Sequence, residues 1–397
     1  MKYALVIMDG AADEPLAELD GATVLEKAHI PHADWIAQHG RLGQVRTIPP
    51  GFSPGSDVAL MSVLGYDPRK YYTGRAPLEA AAQEIALGPA DWVFRCNLVT
   101  VADGKMIDHS AGHIGTSEGR QIIADLNAAL SDDQIRFYPG VGYRHLMVVR
   151  GGDDFSDELA PPHDIVEQPV AKHLPRGKTG KVLLPLLERA AALLADHEVN
   201  RIRADLGENQ ATHIWLWGQG RRPALDSFRD RFGLAGAVIT AVDLMRGLAK
   251  LAGLKVIEVE GATAYLDTNY AGKGQAAIAA LADGDLVVVH VEAPDEAGHA
   301  ALVQEKVQAI EHIDALIIGP LLDWLRRQRE WRILVLPDHP TPIRLRTHSD
   351  KPVPLALAGN GIAGHAAGPY SEANARKTGF FIEQGCELMD YFLHVKG

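Results

Sequence analysis

Seven side chains able to bind a metal ion or act as a nucleophile stand at the ends of apolar runs or in turn-rich segments of this sequence. They are Asp9, Ser56, Asp295, His299, Asp338, His339 and His348. The run Tyr3–Met8 stops at Asp9 and Gly10, and the run Leu286–Val291 is followed by Glu292, Pro294, Asp295 and His299. A third run, Ile333–Leu336, leads into Pro337, Asp338, His339 and Pro340. Continuous β-branched runs of this length predict strands buried on both faces of a parallel sheet. Function collects beyond the carboxyl ends of such strands. Three adjacent strand ends carrying carboxylates and imidazoles would make a cluster of hard oxygen and nitrogen ligands, and such a cluster suits a metal ion.

Asp295 and His299 are four residues apart, a spacing that puts both side chains on one face of a helical turn. The same residues also fit a helix cap after Pro294 with a solvent-facing histidine. Asp338 and His339 are sequence neighbours, so they reach one ion only from an irregular loop. Pro337, Pro340 and Pro342 supply that irregularity. A turn with a capping aspartate is the alternative there. Ser56 follows Pro54 and Gly55 and precedes the helical pattern Val58–Leu64. A serine there is either a helix cap or a nucleophile beside backbone N–H groups that favour phosphate. Metal coordination would activate its hydroxyl.

The elements that must position these residues alternate as strand and helix, the signature of an α/β protein. Helical patterns near 30–37, 118–130, 182–197 and 243–252 separate strand-like runs at 43–47, 92–101, 145–149, 237–240 and 256–259. The middle of the chain reads as a smaller α+β insertion. Because the ligand candidates lie on both sides of it, the catalytic domain is expected to be discontinuous. The expected division is 1–90 with 201–397 for the metal-binding domain, and 91–200 for an inserted substrate-binding domain.

The 397 residues carry 39 Lys and Arg against 51 Asp and Glu, a net charge of −12 with no basic run. Binding to nucleic acid through phosphate neutralisation is therefore not expected. Cys96 and Cys386 lack CxxC spacing, which argues against a disulfide framework and for a reducing compartment. With no signal-peptide pattern and no apolar stretch long enough to span a bilayer, the expectation is a soluble, cytoplasmic protein acting on a small molecule.

Taken in order, these motifs resemble the cofactor-independent phosphoglycerate mutases, closest to the archaeal-type branch, within the alkaline phosphatase superfamily. The residues that carry the resemblance are Asp9-Gly10, Pro54 to Asp57, Tyr72 to Pro77, Asp295 to His299, Pro337 to His339, and Thr347-His348. It extends over essentially the whole chain. It implies an alkaline-phosphatase-like sheet domain with helices on both faces, plus the smaller inserted domain. It also implies a glycolytic isomerase that interconverts 3- and 2-phosphoglycerate through a phosphoserine at Ser56, without 2,3-bisphosphoglycerate. Carried over by position, one divalent metal falls to Asp295, His299 and His348, and the other to Asp9, Ser56, Asp338 and His339. A mixed Asp/His/Ser set suits Mn²⁺ or Zn²⁺ better than Mg²⁺.

Substrate contacts are expected from Arg95, His113 and Arg144 in the insertion, since a carboxylate calls for a guanidinium. Arg75, on a loop after the nucleophile helix, is expected on the phosphate side. One departure stands out: the archaeal branch leads to an arginine where this chain has His113. In that respect the sequence resembles a bacterial subgroup proposed to act as homoserine kinase. A phosphotransferase acting on an amino-alcohol is therefore the alternative function. The chain lacks a GxxxxGK[ST] loop to hold a nucleotide donor.

Overall fold

The computed structural model describes residues 1–152, 154–157, 159–364 and 368–395. The chain divides into two compact units, one of residues Met1–Tyr72 with Ala224–Gly397, the other of residues Thr73–Pro223. Among the described residues the strands in chain order are β1 (Lys2–Met8), β2 (Arg41–Val45), β3 (Trp92–Ala102), β4 (Lys105–Asp108), β5 (Ile135–Val141), β6 (Arg144–Val149) and β7 (His213–Arg221). They continue with β8 (Gly236–Ile239), β9 (Lys255–Ile257), β10 (Leu286–Val291), β11 (Trp331–Leu336), β12 (Val353–Gly359) and β13 (Phe381–Ile382).

The larger unit holds one eight-stranded sheet in the order β13-β2-β12-β11-β1-β10-β8-β9. The five strands from β11 to β9 run parallel. β12 is antiparallel to both β11 and β2, so the sheet is mixed rather than wholly parallel. The predicted apolar runs are the centre of this sheet. In β1, Ala4, Val6 and Met8 face a core that includes Ile36, Ile310, Ile313 and Ile317. Tyr3, on the opposite face, meets Phe392 edge to face. With helices on both sides, every residue of β10 is buried, which is why neither strand alternates polar and apolar residues.

The order β11-β1-β10 places the carboxyl ends of three neighbouring parallel strands side by side. Asp9 follows β1, Glu292 follows β10, and Pro337, Asp338 and His339 follow β11. Gly10 turns the chain directly after Asp9 with φ +62°. A Cβ there would come within 2.6 Å of both Asp295 Oδ1 and Thr341 Oγ1, so only glycine fits.

The smaller unit is an antiparallel sheet in which β3 pairs with β4, β6 and β7, and β6 pairs with β5. The helices Thr116–Leu130 and Gly177–Ala195 cover one face and share a core with Phe94, Cys96, Phe137, Leu216 and Trp217. This unit reaches beyond the expected 91–200 at both ends. The run Ile214–Trp217, which falls within the 201–397 segment expected for the larger domain, is part of β7 and pairs with β3. Upstream, the helix Ala76–Ala82 packs Ala76 and Ala80 onto Val93, Leu146 and Val148. Both cysteines are free. Among the described residues no helix is long and apolar enough to cross a membrane.

Candidate metal centre

Two groups of ligands assemble in the larger unit. In one, ligand atoms of Asp295, His299 and His348 all lie within 4.8 Å of one another, and in the other the same holds for Asp9, Asp338 and His339. Asp295 and His299 come from the short helix Ala293–His299, and Oδ2 of Asp295 lies 3.2 Å from Nε2 of His299. The two imidazoles face each other, with Nε2 of His299 3.0 Å from Nε2 of His348. Nitrogens around a tetrahedral zinc at about 2.0 Å are roughly 3.3 Å apart. The carbonyl of Arg346 lies 3.0 Å from Nδ1 of His299 and accepts its N–H, so Nε2 is the nitrogen that a cation would take in place of its proton.

The second group is more deeply buried: Asp338 and His339 are fully inaccessible, and Asp9 nearly so. Nε2 of His339 lies 3.3 Å from Oδ2 of Asp338 and 3.5 Å from Oδ1 of Asp9. The other oxygen of Asp338 accepts hydrogen bonds from the backbone N–H groups of Gly10 and His339. Oδ1 of Asp9 and Oδ2 of Asp338 have no hydrogen-bond partner although both are buried. Unpartnered buried carboxylate oxygens are costly. Burial, reinforced by the charges of Asp338 and Asp295, holds the Asp9 carboxyl well above the usual carboxylate range. Burial also pushes the His339 imidazole down, favouring its neutral, ligating form. A divalent cation would satisfy these unpartnered oxygens and the neutral imidazole, so the residues fit one.

Burial works against the Asp295 carboxylate, but hydrogen bonds from His299 and His348 outweigh it and hold the group well below its ordinary value. The same hydrogen bond raises His299 to about 9. The two ligand groups adjoin, for the rings of His339 and His348 are 4.3 Å apart between centroids.

Ser56 opens the helix Ser56–Val63, whose cap is the extended Gly55, and no side chain caps it. The serine is therefore not the helix cap. Its Oγ lies 3.0 Å from Nε2 of His339, among the ligands and next to the N–H groups of the first turn. Asp57 beside it accepts from the Tyr72 hydroxyl at 2.5 Å and from the N–H of Val58.

Several residues of this centre escape a reading of the sequence. Thr341 donates to Asp295 Oδ1 at 2.5 Å and stands 3.2 Å from Nδ1 of His339. With its proton committed to Asp295, its oxygen accepts the Nδ1 proton of His339 and leaves Nε2 free. Behind Asp9 lie His290, Glu292 and Lys273, buried and mutually hydrogen-bonded. Nε2 of His290 faces Asp9 and Nδ1 faces Glu292, so both ring nitrogens donate. The charge of Glu292 and the hydrogen bond to Asp9 overcome burial and raise His290 to about 10. His290 stands inside an apolar strand and Lys273 inside an alanine-rich helix. A charged residue in such a run is the one signal that could have pointed to them.

The four expected substrate residues, Arg75, Arg95, His113 and Arg144, all belong to the smaller unit. Arg75 was expected beside the nucleophile helix. It stands at the start of the helix Ala76–Ala82, and its Nε pairs with Glu79. Arg95 is buried, pairs with the other oxygen of Glu79 at 3.0 Å, and lies 4.1 Å over the Trp217 ring. Burial lowers its proton affinity, as do the charges of Arg75 and Arg144. Arg144 is exposed beside the Tyr143 ring at the start of β6, opposite Asn97 of β3. His113 is exposed with φ +51°, and its N–H donates to Ser110 Oγ.

A family model described as 2,3-bisphosphoglycerate-independent phosphoglycerate mutase matches residues 37–200. Over 390 residues the chain is 50% identical to a 2,3-bisphosphoglycerate-independent phosphoglycerate mutase of Methanothrix thermoacetophila, with 98% of each chain covered. Among solved structures, one from Pyrococcus horikoshii superposes with a TM-score of 0.84 at 29% identity, covering 99% of this chain and 96% of that one. A cofactor-independent phosphoglycerate mutase from Thermoplasma acidophilum superposes with a TM-score of 0.67 at 27% identity, covering 99% of both.

Proposed function

The chain belongs to the 2,3-bisphosphoglycerate-independent phosphoglycerate mutases, and from that premise we propose that it works through a phosphoserine at Ser56 beside two divalent cations. The reaction itself is the interconversion of 3- and 2-phosphoglycerate, an isomerisation by intramolecular phosphoryl transfer. The substrate is a small phosphorylated acid, and no 2,3-bisphosphoglycerate is consumed.

The observation that carries the mechanism is the Ser56 hydroxyl, 3.0 Å from His339 Nε2 within a set of buried, unpartnered carboxylate oxygens. Asp295, His299 and His348 would hold one cation, and Asp9, Ser56, Asp338 and His339 the other. When bound, Mn²⁺ or Zn²⁺ would lower the pKa of the serine hydroxyl and neutralise charge on the phosphoryl oxygens. Ser56 Oγ attacks phosphorus, the bond from phosphorus to the substrate oxygen breaks, and that oxygen takes a proton. The glycerate then reorients and its other hydroxyl attacks the phosphoserine, returning Ser56 to its free form. Glycerate must stay bound meanwhile, because water would otherwise hydrolyse the phosphoserine. Arg95 and Arg144 suit the carboxylate of such a substrate, while His113 is the position where acceptor choice is decided. Arg75 is assigned to the phosphate side of the substrate.

The test is a coupled assay for 2-phosphoglycerate, run beside one for phosphohomoserine, on protein stripped of metal and reloaded with Mn²⁺ or Zn²⁺. Metal-dependent 2-phosphoglycerate formation is expected. Phosphohomoserine formation in its place would move the acceptor assignment to an amino-alcohol.

A further inference from the structure

Four ionisable side chains form an unbroken line through the interior of the larger unit. Lys273 and His290 are completely inaccessible, and Glu292 is 3% exposed. The Lys273 ammonium donates to Glu292 Oε2 at 2.9 Å and to the carbonyl of His290 at 3.0 Å. The other oxygen of Glu292 accepts from Thr240 Oγ1 at 2.8 Å and from the N–H of Ala241 at 2.9 Å, and it lies 3.2 Å from His290 Nδ1. His290 Nε2 then lies 2.9 Å from Asp9 Oδ2. The line crosses three adjacent strand ends, those of β8, β10 and β1. It stops at Asp9, whose remaining oxygen, Oδ1, is buried without a hydrogen-bond partner.

Burying such a chain of charges rarely improves stability over apolar residues of similar size, so its placement asks for another reason. We propose that His290 is a positioning residue for the cation at Asp9: it occupies Oδ2 and so presents Oδ1 alone to the ion. Lys273 and Glu292 fix the imidazole in turn. Glu292 is held from the end of β8 and Lys273 from the helix Tyr270–Asp283, so neither the carboxylate nor the ring is left to rotate. This inference rests on the two-cation reading above.

Metal-stripped full-length protein is titrated with Mn²⁺, with binding followed by calorimetry and by the electron paramagnetic signal of the free ion. Wild type should bind two equivalents. In His290→Ala one equivalent should weaken about 10–100-fold, the usual effect of losing a hydrogen-bond partner of a ligand, while the other stays unchanged. His290→Gln should recover most of that affinity, because its amide N–H can donate toward Asp9. Raising Mn²⁺ should restore kcat in His290→Ala with little change in KM. Lys273→Met, which leaves His290 in place, should weaken the same equivalent by a smaller factor, and it decides the matter if His290→Ala does not fold. Two equivalents bound at wild-type affinity in these variants, with only the melting temperature lowered, would overturn the positioning role. Fewer than two equivalents in wild type would overturn the two-cation reading, and this inference with it.

Discussion

The hydroxyl oxygen of Ser56 lies 3.0 Å from Nε2 of His339, although 283 residues separate the two in the chain. Strand β11 brings His339 to the sheet edge and the turn at Gly55 brings Ser56 to the start of its helix. The imidazole's other nitrogen is turned toward Thr341, whose own proton goes to Asp295. Nε2 is left with a lone pair for the cation that would also take the Ser56 oxygen.

Ser56→Ala should therefore abolish mutase turnover. Because the serine makes no cap bond, the fold should lose little, within about 0.5 kcal/mol for a substitution that breaks no such feature. Intact-mass spectra of protein quenched during turnover should show a phosphoryl adduct on wild type and none on the variant. Near-normal turnover by Ser56→Ala would remove the phosphoserine.

Chelation should cost stability as well as activity. Asp9, Asp295 and Asp338 crowd their charges together in a buried place, and a bound cation relieves them. A cation present at 100 times its Kd adds about 2.7 kcal/mol. For a unit of this size each kcal/mol raises Tm by about 2–4 °C. Scanning calorimetry with EDTA and then with excess Mn²⁺ or Zn²⁺ should show Tm fall and recover by roughly 5–10 °C. An unchanged Tm would argue against a structural cation.

The ligand strands were legible in the sequence because their signal is local. An apolar run ending in an acid beside glycine or proline names its own end, and Asp9, Asp295 and Asp338 all follow that pattern. What stayed hidden depends on pairing between distant segments. The apolar run Ile214–Trp217 predicts a strand, yet nothing in those residues says that its partner is β3. The unit boundary after β7 turns on that pairing. β12 escaped notice because Pro354 near its start argues against a strand, although that strand joins β11 to β2. His290 and Lys273 look like interruptions in apolar elements until the fold sets them behind Asp9.

Substrate recognition is expected to separate from metal binding. Arg144 is exposed beside Tyr143, whereas Arg95 is buried between Glu79 and Trp217. Losing a charged hydrogen bond to a carboxylate costs about 1.5–3 kcal/mol, or roughly 10–100-fold in kcat/KM. Arg144→Ala and His113→Ala should show losses of that order with bound metal unchanged. Arg95→Ala should lose stability too, since it leaves one oxygen of Glu79 and the Trp217 face without their partner. Full activity in both Arg144→Ala and His113→Ala would refute their role.

The smaller unit should also carry a pH-sensitive stability that resides in His145. Burial pushes its imidazole down to about 3, with help from the charge of Arg120. Its Nδ1 accepts from the N–H of Gly140 at 3.0 Å, and its Nε2 is buried without a partner. The unfolded chain should protonate this ring near pH 6.5, while the folded chain resists down to about 3. Between those values the unfolded state binds the extra proton, so stability falls as pH falls through that window. At pH 5.5 the loss relative to pH 7.5 should be about 1.4 kcal/mol from this one group. Other histidines titrate in the same range, so the measurement compares wild type with His145→Phe. Urea unfolding of both proteins, followed by tryptophan emission at the two pH values, isolates the difference. His145→Phe should lose less stability than wild type on acidification, by about 1 kcal/mol. Equal losses in the two proteins would mean that His145 is protonated in the folded chain after all.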